Sequence, residues 1–229
     1  MVKSLLPYIS DDNLYAKTKP LVTLVERTAD AEEQRMYRNT VDPFSALFDA
    51  AKQNITLSEW LDQEKSRQVQ KTLQNAIGTF HQEILGSIPG WESLPTGGII
   101  DVKNDSKKII AEIKNKHNTT NSSSAEALYD HLSNVLNNTY NGYTAYHVQI
   151  IPKSRREYDK AYVPSGRQLN EKIRVIDGKS FYAMASGQEN ALKMLYVVLP
   201  KVISDILQRP TDNVTKDKLF MDLFEKAYS

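Results

Sequence analysis

The spacing of apolar and polar positions indicates a helical first part of the chain. From Leu14 to about Gln53 apolar residues recur at helical intervals, and Asp42-Pro43 predicts an N-cap followed by proline at the first helical position. Thr56 and Glu59 predict a capping box that opens a long helix. We therefore expect residues 1–90 to be mainly helical.

The second part alternates between strand-like and helix-like patterns. Residues 97–114 consist of two β-branched runs around a polar cluster, which predicts a β-hairpin. Ser122 begins a helical pattern that ends near Asn138, and residues 143–152 form an aromatic and β-branched run typical of a central strand. A helix between strands two and three indicates a right-handed crossover to a parallel neighbour. We expect a mixed sheet.

The remaining segments complete the expected α/β core. Asp177-Gly178 is a strong turn signal, and it predicts a second hairpin formed by residues 173–176 and 181–184. Residues 190–207 return to helical spacing, and a short amphipathic helix follows at Leu219–Phe224. We expect one domain over residues 1–229, with a helical part (1–90), an α/β core (91–207) and a C-terminal helix (208–229).

The first hairpin carries acidic and basic residues on one face. Loops of two residues or of four residues both pair Asp101 with Ile110, which places Glu112 on the diagonal at roughly 7–8 Å between Cα atoms. Side chains alternate along a strand, so Lys114 shares a face with Glu112. Two carboxylates so arranged suit Mg²⁺, with a substrate phosphate and waters completing its octahedron. An alternating charged face is also typical of a half-solvated hairpin, and the pattern alone leaves both interpretations open.

These residues resemble a nuclease superfamily. Asp101 followed by Glu112-Ile113-Lys114 looks like the PD-(D/E)XK motif, and the run from Asn115 to Ser124 resembles type II restriction endonucleases of the SinI kind, which cut GG-any-CC sites. The block at residues 173–187 adds to the likeness, which covers about residues 97–200. Ile100 stands where the superfamily name has proline.

The resemblance implies a fold and roles for particular residues. The fold would be α/β, a restriction-endonuclease-like core with a mixed central sheet flanked by helices and an N-terminal helical region. Asp101 and Glu112 would hold Mg²⁺, and Lys114 would lie beside the water that the metal activates. Glu83 is a candidate further acidic ligand, since the superfamily often takes one from a helix before the hairpin. A solvated helix carboxylate is the competing interpretation of Glu83.

Candidate DNA contacts lie in two stretches. Lys116, His117 and Asn118 follow the catalytic strand, and His117 could equally be a local hydrogen-bonding residue. A basic segment interleaved with tyrosines continues from Lys153. Arginine suits bidentate recognition of guanine, whereas an ordinary solvated loop is the alternative. The arginines of this segment proposed to contact DNA are Arg155, Arg156, Arg167 and Arg174.

Composition excludes several other chemistries. The 229-residue chain has no cysteine, which excludes disulfides and thiolate chemistry, and its 29 basic and 28 acidic residues leave a formal charge of +1. No apolar run approaches the roughly 20 residues of a membrane span, so we expect a cytoplasmic protein without membrane partners. Gly-rich phosphate loops and a G-x-S-x-G elbow are absent.

The leading hypothesis is a Mg²⁺-dependent type II restriction endonuclease that cleaves both strands of double-stranded DNA at a short palindrome such as GG-any-CC. A two-fold site is most simply read by a homodimer. A companion DNA methyltransferase would belong to the same system without being a physical partner. The alternatives are a repair or structure-specific nuclease using the same residues, and a DNA-binding protein without catalysis.

Overall fold

Three long helices precede the sheet in the computed structural model, which describes residues 4–30, 41–95, 97–117 and 122–228. They are α1 (Asp11–Asp30), α2 (Pro43–Gln53) and α3 (Leu57–Gly86). The Asp42 carboxylate accepts hydrogen bonds from the backbone N–H groups of Phe44 and Ser45, which caps α2. Thr56 and Glu59 form the reciprocal capping box at the start of α3. Both predicted caps are confirmed.

A six-stranded mixed sheet follows. Its strands are β1 (Glu92–Ser93), β2 (Val102–Asn104), β3 (Ile109–Lys116), β4 (Thr144–Ile151), β5 (Asp159–Ala161) and β6 (Ile173–Asp177). The spatial order is β1-β2-β3-β4-β6-β5; β4 runs parallel to both β3 and β6, and the other pairs are antiparallel. The predicted parallel neighbour of β3 is confirmed.

The described part of the chain contains five further helices between or after the strands. They are α4 (Ser122–Asn138), α5 (Gly178–Ser186), α6 (Ala191–Leu207), α7 (Asp212–Thr215) and α8 (Leu219–Tyr228). The crossover helix α4, the helix α6 and the amphipathic α8 lie where their apolar spacing predicts them. Within the described ranges, no helix is long and apolar enough to cross a membrane.

Both faces of the sheet are covered, which confirms the expected α/β class. On one face, Ala111 and Val148 pack with Ile84 of α3 and Leu195 of α6 in the larger apolar cluster. On the other face, Ile110, Ala145 and Ile173 pack under Leu132 of α4. Among the described residues, this second cluster takes Ile110, Ala145 and Ile173 from β3, β4 and β6, and each lies at or near the beginning of its strand.

The register of the first hairpin differs from the prediction by two residues. Val102 pairs with Ala111 and Asn104 with Ile109, so the loop contains the four residues from Asp105 to Lys108. The Asn104 side chain accepts hydrogen bonds from Ser106 and from the backbone N–H of Lys107, and Lys108 takes a positive φ of 53°. These local features centre the turn one residue later than expected. The shift preserves which side chains share a face, because strand side chains alternate with period two.

The predicted second hairpin is wrong, because residues 178–186 form α5 instead of a strand. The Asp177 carboxylate accepts a hydrogen bond from the backbone N–H of Ser180 at 2.9 Å and acts as an N-cap. Gly178 lies so close to β4 that an added Cβ would be 2.4 Å from the Ile150 carbonyl oxygen. Asp-Gly therefore marks the start of a helix packed on the sheet rather than a β-turn.

Candidate active site

The backbone of Asp101 is fixed on both sides immediately before β2. Its N–H donates to the carbonyl of Ala111 at 2.9 Å, and its own carbonyl accepts from the Leu94 N–H at 2.7 Å. The side chain is also held, since Asp101 Oδ2 accepts a hydrogen bond from the backbone N–H of Ile113 at 2.6 Å. Asp101 is thereby attached to β3 at the residue that follows Glu112.

Glu112 and Lys114 point to the same face of β3. Lys114 Nζ forms an ion pair with Glu112 Oε1. The Glu112 side chain is only 10% exposed, whereas the Lys114 side chain is 38% exposed and reaches solvent. Burial, followed by the negative charge of Asp101, raises the pKa of Glu112 to about 7. Asp101 therefore lies close enough for its negative charge to disfavour the ionised form of Glu112.

The carboxylate pair, Asp101 and Glu112, offers oxygen ligands that could hold a divalent cation such as Mg²⁺. Two oxygen ligands that repel one another gain from a shared divalent cation, and Mg²⁺ commonly takes one or two protein carboxylates together with substrate phosphate and water. No group of three or more histidine, cysteine, aspartate or glutamate side chains suited to a metal occurs within the described parts of the chain. The donors present thus fit a cation that also binds the substrate.

Residues from β4 and β6 extend the same face, and sequence reasoning missed them. The parallel register pairs Glu112 with His147 and Lys114 with Gln149, and Gln149 with Asp177 on β6. We call these five residues the polar face. The signal that could have revealed them is the polar alternation within β4, where His147 and Gln149 interrupt apolar residues at a spacing of two.

His147 belongs to a chain of hydrogen bonds in the polar face. The Tyr158 hydroxyl donates to Gln149 Oε1 at 2.6 Å, and Gln149 Nε2 lies 3.1 Å from His147 Nε2. His147 is 1% exposed, and its ring contacts that of Tyr162 with centroids 5.1 Å apart. Burial, assisted by the positive charge of Lys114, lowers the pKa of His147 to about 4. The imidazole is therefore neutral at physiological pH.

Glu83 is not brought to the carboxylate pair. Its carboxylate forms an ion pair with Lys17 at 2.5 Å and accepts a hydrogen bond from Ser93 at 3.0 Å. Burial raises the pKa of Glu83, but the hydrogen bonds from Lys17 and Ser93 outweigh this effect and the net pKa is lowered. These contacts join α1, α3 and β1, which is a structural role.

The first set of candidate DNA contacts lies at the carboxyl end of β3. Lys116 is the last residue of β3 and pairs with Ile151 of β4. His117 follows and is half-buried, and its Nδ1 has no hydrogen-bond partner among the residues that the structure describes. Asn118 lies outside the described residues. Lys116 and His117 are therefore two and three residues beyond Glu112-Ile113-Lys114.

The four arginines fall into two groups. Arg155 and Arg156 are exposed a few residues after β4 ends. Arg167 instead binds Asp130 of α4 through two hydrogen bonds of 2.7 Å, and Arg174 binds Asp159 at 2.6 Å. Arg174 also alternates with Val175, which is in register with His147, so it points away from the polar face.

Comparisons with known proteins give a consistent result. A model of the Eco47II restriction endonuclease family matches residues 6–208. The type II restriction enzyme Eco47II of Escherichia coli is 40% identical over 213 residues, which cover 89% of this chain and 89% of that protein. The type II restriction enzyme Sau96I of Staphylococcus aureus is 30% identical over 240 residues, covering 99% of this chain and 91% of the relative. No solved structure matches the chain at a significant level.

Proposed function

The chain belongs to the Eco47II family of restriction endonucleases, and from this premise we propose that it hydrolyses both strands of double-stranded DNA at a short palindromic site. The observation that carries the proposal is the position of Asp101, Glu112 and Lys114 on one face of the sheet, with Glu112 buried and Lys114 at the solvent boundary. Residues 1–229 would act as one nuclease domain.

The roles of the three residues follow from their contacts. Asp101 and Glu112 would hold Mg²⁺, which supplies Lewis-acid polarisation of the phosphoryl group and lowers the pKa of the attacking water. The hydrogen bond from Ile113 leaves the second oxygen of Asp101 available as a ligand. Lys114 Nζ would leave Glu112 to orient the water or to neutralise charge on the phosphate as it develops. This arrangement supports assignment to the PD-(D/E)XK superfamily.

DNA would approach the carboxyl ends of β3 and β4. In open α/β sheets, ligands bind outside the carboxyl ends of the strands. Arg155 is four residues beyond Ile151, so the extended chain keeps it within about 14 Å of that strand end. We assign DNA contacts to Arg155, Arg156, Lys116 and His117 in preference to Arg167 and Arg174, whose guanidinium groups are engaged by carboxylates.

The target would be a palindrome of the GG-any-CC kind, read by a homodimer with one active site in each subunit. A two-fold DNA sequence matches a two-fold protein assembly, and two sites are required to cut two strands at symmetric positions. Protection of the host DNA would then require a companion methyltransferase that acts on the same sequence and need not bind this protein.

The decisive experiment is digestion of phage DNA by the purified protein with Mg²⁺, followed by sequencing of the fragment ends. We expect discrete fragments whose ends share one palindrome. Nicking without a shared sequence would replace the proposal by the repair-nuclease alternative. Absence of cleavage with any divalent cation, together with retained DNA binding, would indicate a DNA-binding protein without catalysis.

A further inference from the structure

Among the residues that the structure describes, one ring nitrogen of His147 has a hydrogen-bond partner and the other has none. Gln149 Oε1 accepts the Tyr158 hydroxyl, so the Gln149 Nε2 group faces His147 and can only donate. His147 Nε2 must therefore be the acceptor, and in a neutral imidazole the proton then resides on Nδ1. This Nδ1–H group is buried and has no hydrogen-bond partner among the described residues.

The residues on either side of His147 restrict the acceptor that could satisfy it. Its partner on β6 is Val175, which has no polar side-chain atom, and its partner on β3 is Glu112. Neighbouring strands lie about 4.8 Å apart, so a side-chain hydrogen bond across this pair is within reach. Glu112 has two carboxylate oxygens, and Lys114 binds Oε1.

We propose that His147 is a positioning residue that donates its Nδ1–H to the Glu112 carboxylate when Lys114 releases it and the carboxylate turns to a divalent cation. This inference rests on the proposed function, because it concerns the same cation site. Ligating carboxylates are commonly held by outer hydrogen bonds, and a neutral donor adds no positive charge beside the cation. Tyr158 and Gln149 act through His147, because they determine which ring nitrogen carries the proton.

The premise can be tested directly by NMR on protein labelled with ¹⁵N-histidine. Long-range ¹H–¹⁵N correlations should show His147 as the neutral Nδ1–H tautomer in the metal-free protein. Addition of Mg²⁺ should shift the Nδ1 proton downfield as its hydrogen bond forms. An Nε2–H tautomer, or an Nδ1–H resonance that does not respond to Mg²⁺, would overturn the inference.

Cation binding gives the second test, measured by isothermal titration of the whole protein with Mn²⁺. His147→Phe removes the donor while filling the ring space, and we expect the Mn²⁺ affinity to fall about 10- to 100-fold. His147→Asn retains an N–H near the position of Nδ1 and should recover most of the affinity. Tyr158→Phe leaves His147 in place and should also weaken Mn²⁺ binding, but by less. If His147→Phe does not fold, the Mn²⁺ affinity of Tyr158→Phe tests the inference instead.

His81 supplies a matched control. It is also a buried histidine with a pKa lowered to about 4, but it bonds to the Tyr182 hydroxyl at 2.8 Å on the opposite face of the sheet. His81→Phe should leave Mn²⁺ affinity unchanged. Unchanged affinity in both His147→Phe and Tyr158→Phe would overturn the inference, as would failure of His147→Asn to recover binding.

Failure of the proposed function would look different. If Asp101→Ala or Glu112→Ala still cleaved DNA, the carboxylate pair itself would be misassigned, whatever the behaviour of His147. If His147→Phe weakened DNA binding but not Mn²⁺ binding, the Nδ1–H group would bind a DNA phosphate instead of Glu112. The inference alone would then be wrong. A wild-type protein that binds no divalent cation would overturn both.

Discussion

The Asp101 carboxylate accepts a hydrogen bond from the backbone N–H of Ile113, 2.6 Å away on the neighbouring strand. This contact fixes one oxygen of Asp101 and holds the side chain next to Glu112. A group oriented in advance loses less conformational entropy when it binds a ligand. Asp101 would therefore be oriented before a cation binds, whereas Glu112 would still have to leave its ion pair with Lys114.

Removal of either carboxylate should stop catalysis without preventing DNA binding. We expect Asp101→Ala and Glu112→Ala to lower the cleavage rate by at least about 10²–10³-fold, the loss typical when a group that stabilises transition-state charge is removed. Lys114→Ala should behave likewise. Specific binding, measured by fluorescence anisotropy in Ca²⁺, should survive because phosphate and base contacts remain. Glu92→Gln is the control, since Glu92 is exposed and pairs with Lys103; near wild-type cleavage by Asp101→Ala would refute the assignment.

Glu112 should make the stability of the metal-free protein depend on pH. Its folded-state pKa is raised to about 7, so the folded state binds the proton more tightly than the unfolded state. The resulting stabilisation is complete below the unfolded pKa and is lost as the pH rises through about 7. Glu112→Gln should therefore be more stable than wild type at about pH 8, by on the order of 2–3 kcal/mol, and similar near pH 4.

Urea unfolding of both proteins without divalent ions measures this difference. The same titration should affect catalysis, because Glu112 must be ionised to bind a cation. At a fixed Mg²⁺ concentration below saturation, cleavage should decline as the pH falls below about 7, and added Mg²⁺ should offset the decline. A stability difference between Glu112→Gln and wild type that does not change with pH would contradict the raised pKa.

Glu83 should prove structural rather than catalytic. We expect Glu83→Gln to keep wild-type cleavage, and to cost at most about 1 kcal/mol of stability because its ion pair with Lys17 is partly exposed. The glutamine oxygen can still accept the Ser93 hydroxyl. Cleavage kinetics and thermal unfolding measure the two effects. If Glu83→Gln lost cleavage activity at unchanged stability, Glu83 would instead have to be assigned to the cation site.

The four arginines should separate into two classes. Arg155→Ala and Arg156→Ala should weaken binding of the specific site, and a base-reading arginine should lose roughly 1–3 kcal/mol. Arg167→Ala should leave DNA affinity unchanged and change stability little, since its pair with Asp130 is solvent-exposed. Anisotropy titrations with specific and scrambled duplexes, and thermal unfolding, distinguish the classes. If neither Arg155→Ala nor Arg156→Ala weakened DNA binding, the DNA interface would have to lie elsewhere on the protein.

Local patterns were sufficient for most elements of the fold. The caps at Asp42 and Thr56 and the apolar spacing of α3, α4 and α6 are written in neighbouring residues, so helix starts could be predicted. The hairpin register could not, because Lys108 adopts a positive φ without a glycine to mark it. The turn predicted at Asp177-Gly178 was wrong for a related reason. Asp-Gly occurs both in β-turns and at helix N-termini, and packing against β4 decides between the two.

The candidate site likewise contains some residues that local sequence predicts and others that only the fold brings together. Asp101, Glu112 and Lys114 lie in one hairpin, and strand alternation alone places Glu112 and Lys114 on a common face. His147 and Gln149 join them through the parallel pairing of β3 with β4, which is set by α4 and its packing rather than by short-range sequence. Tyr158 reaches Gln149 only because the chain folds back after β4.

Helix α3 is continuous over 30 residues, about 45 Å, yet its two ends belong to different apolar clusters. Trp60 packs with Ala46 and Ala50 of α2, whereas Ile84 and its neighbours join the large cluster under the sheet. No residue from 61 to 79 is fully buried. The first half of α3 and α2 should thus form a separate cooperative unit. Its amides should exchange with deuterium faster than those of the second half, and Trp60→Ala should accelerate that exchange without exposing the amides of β3 and β4.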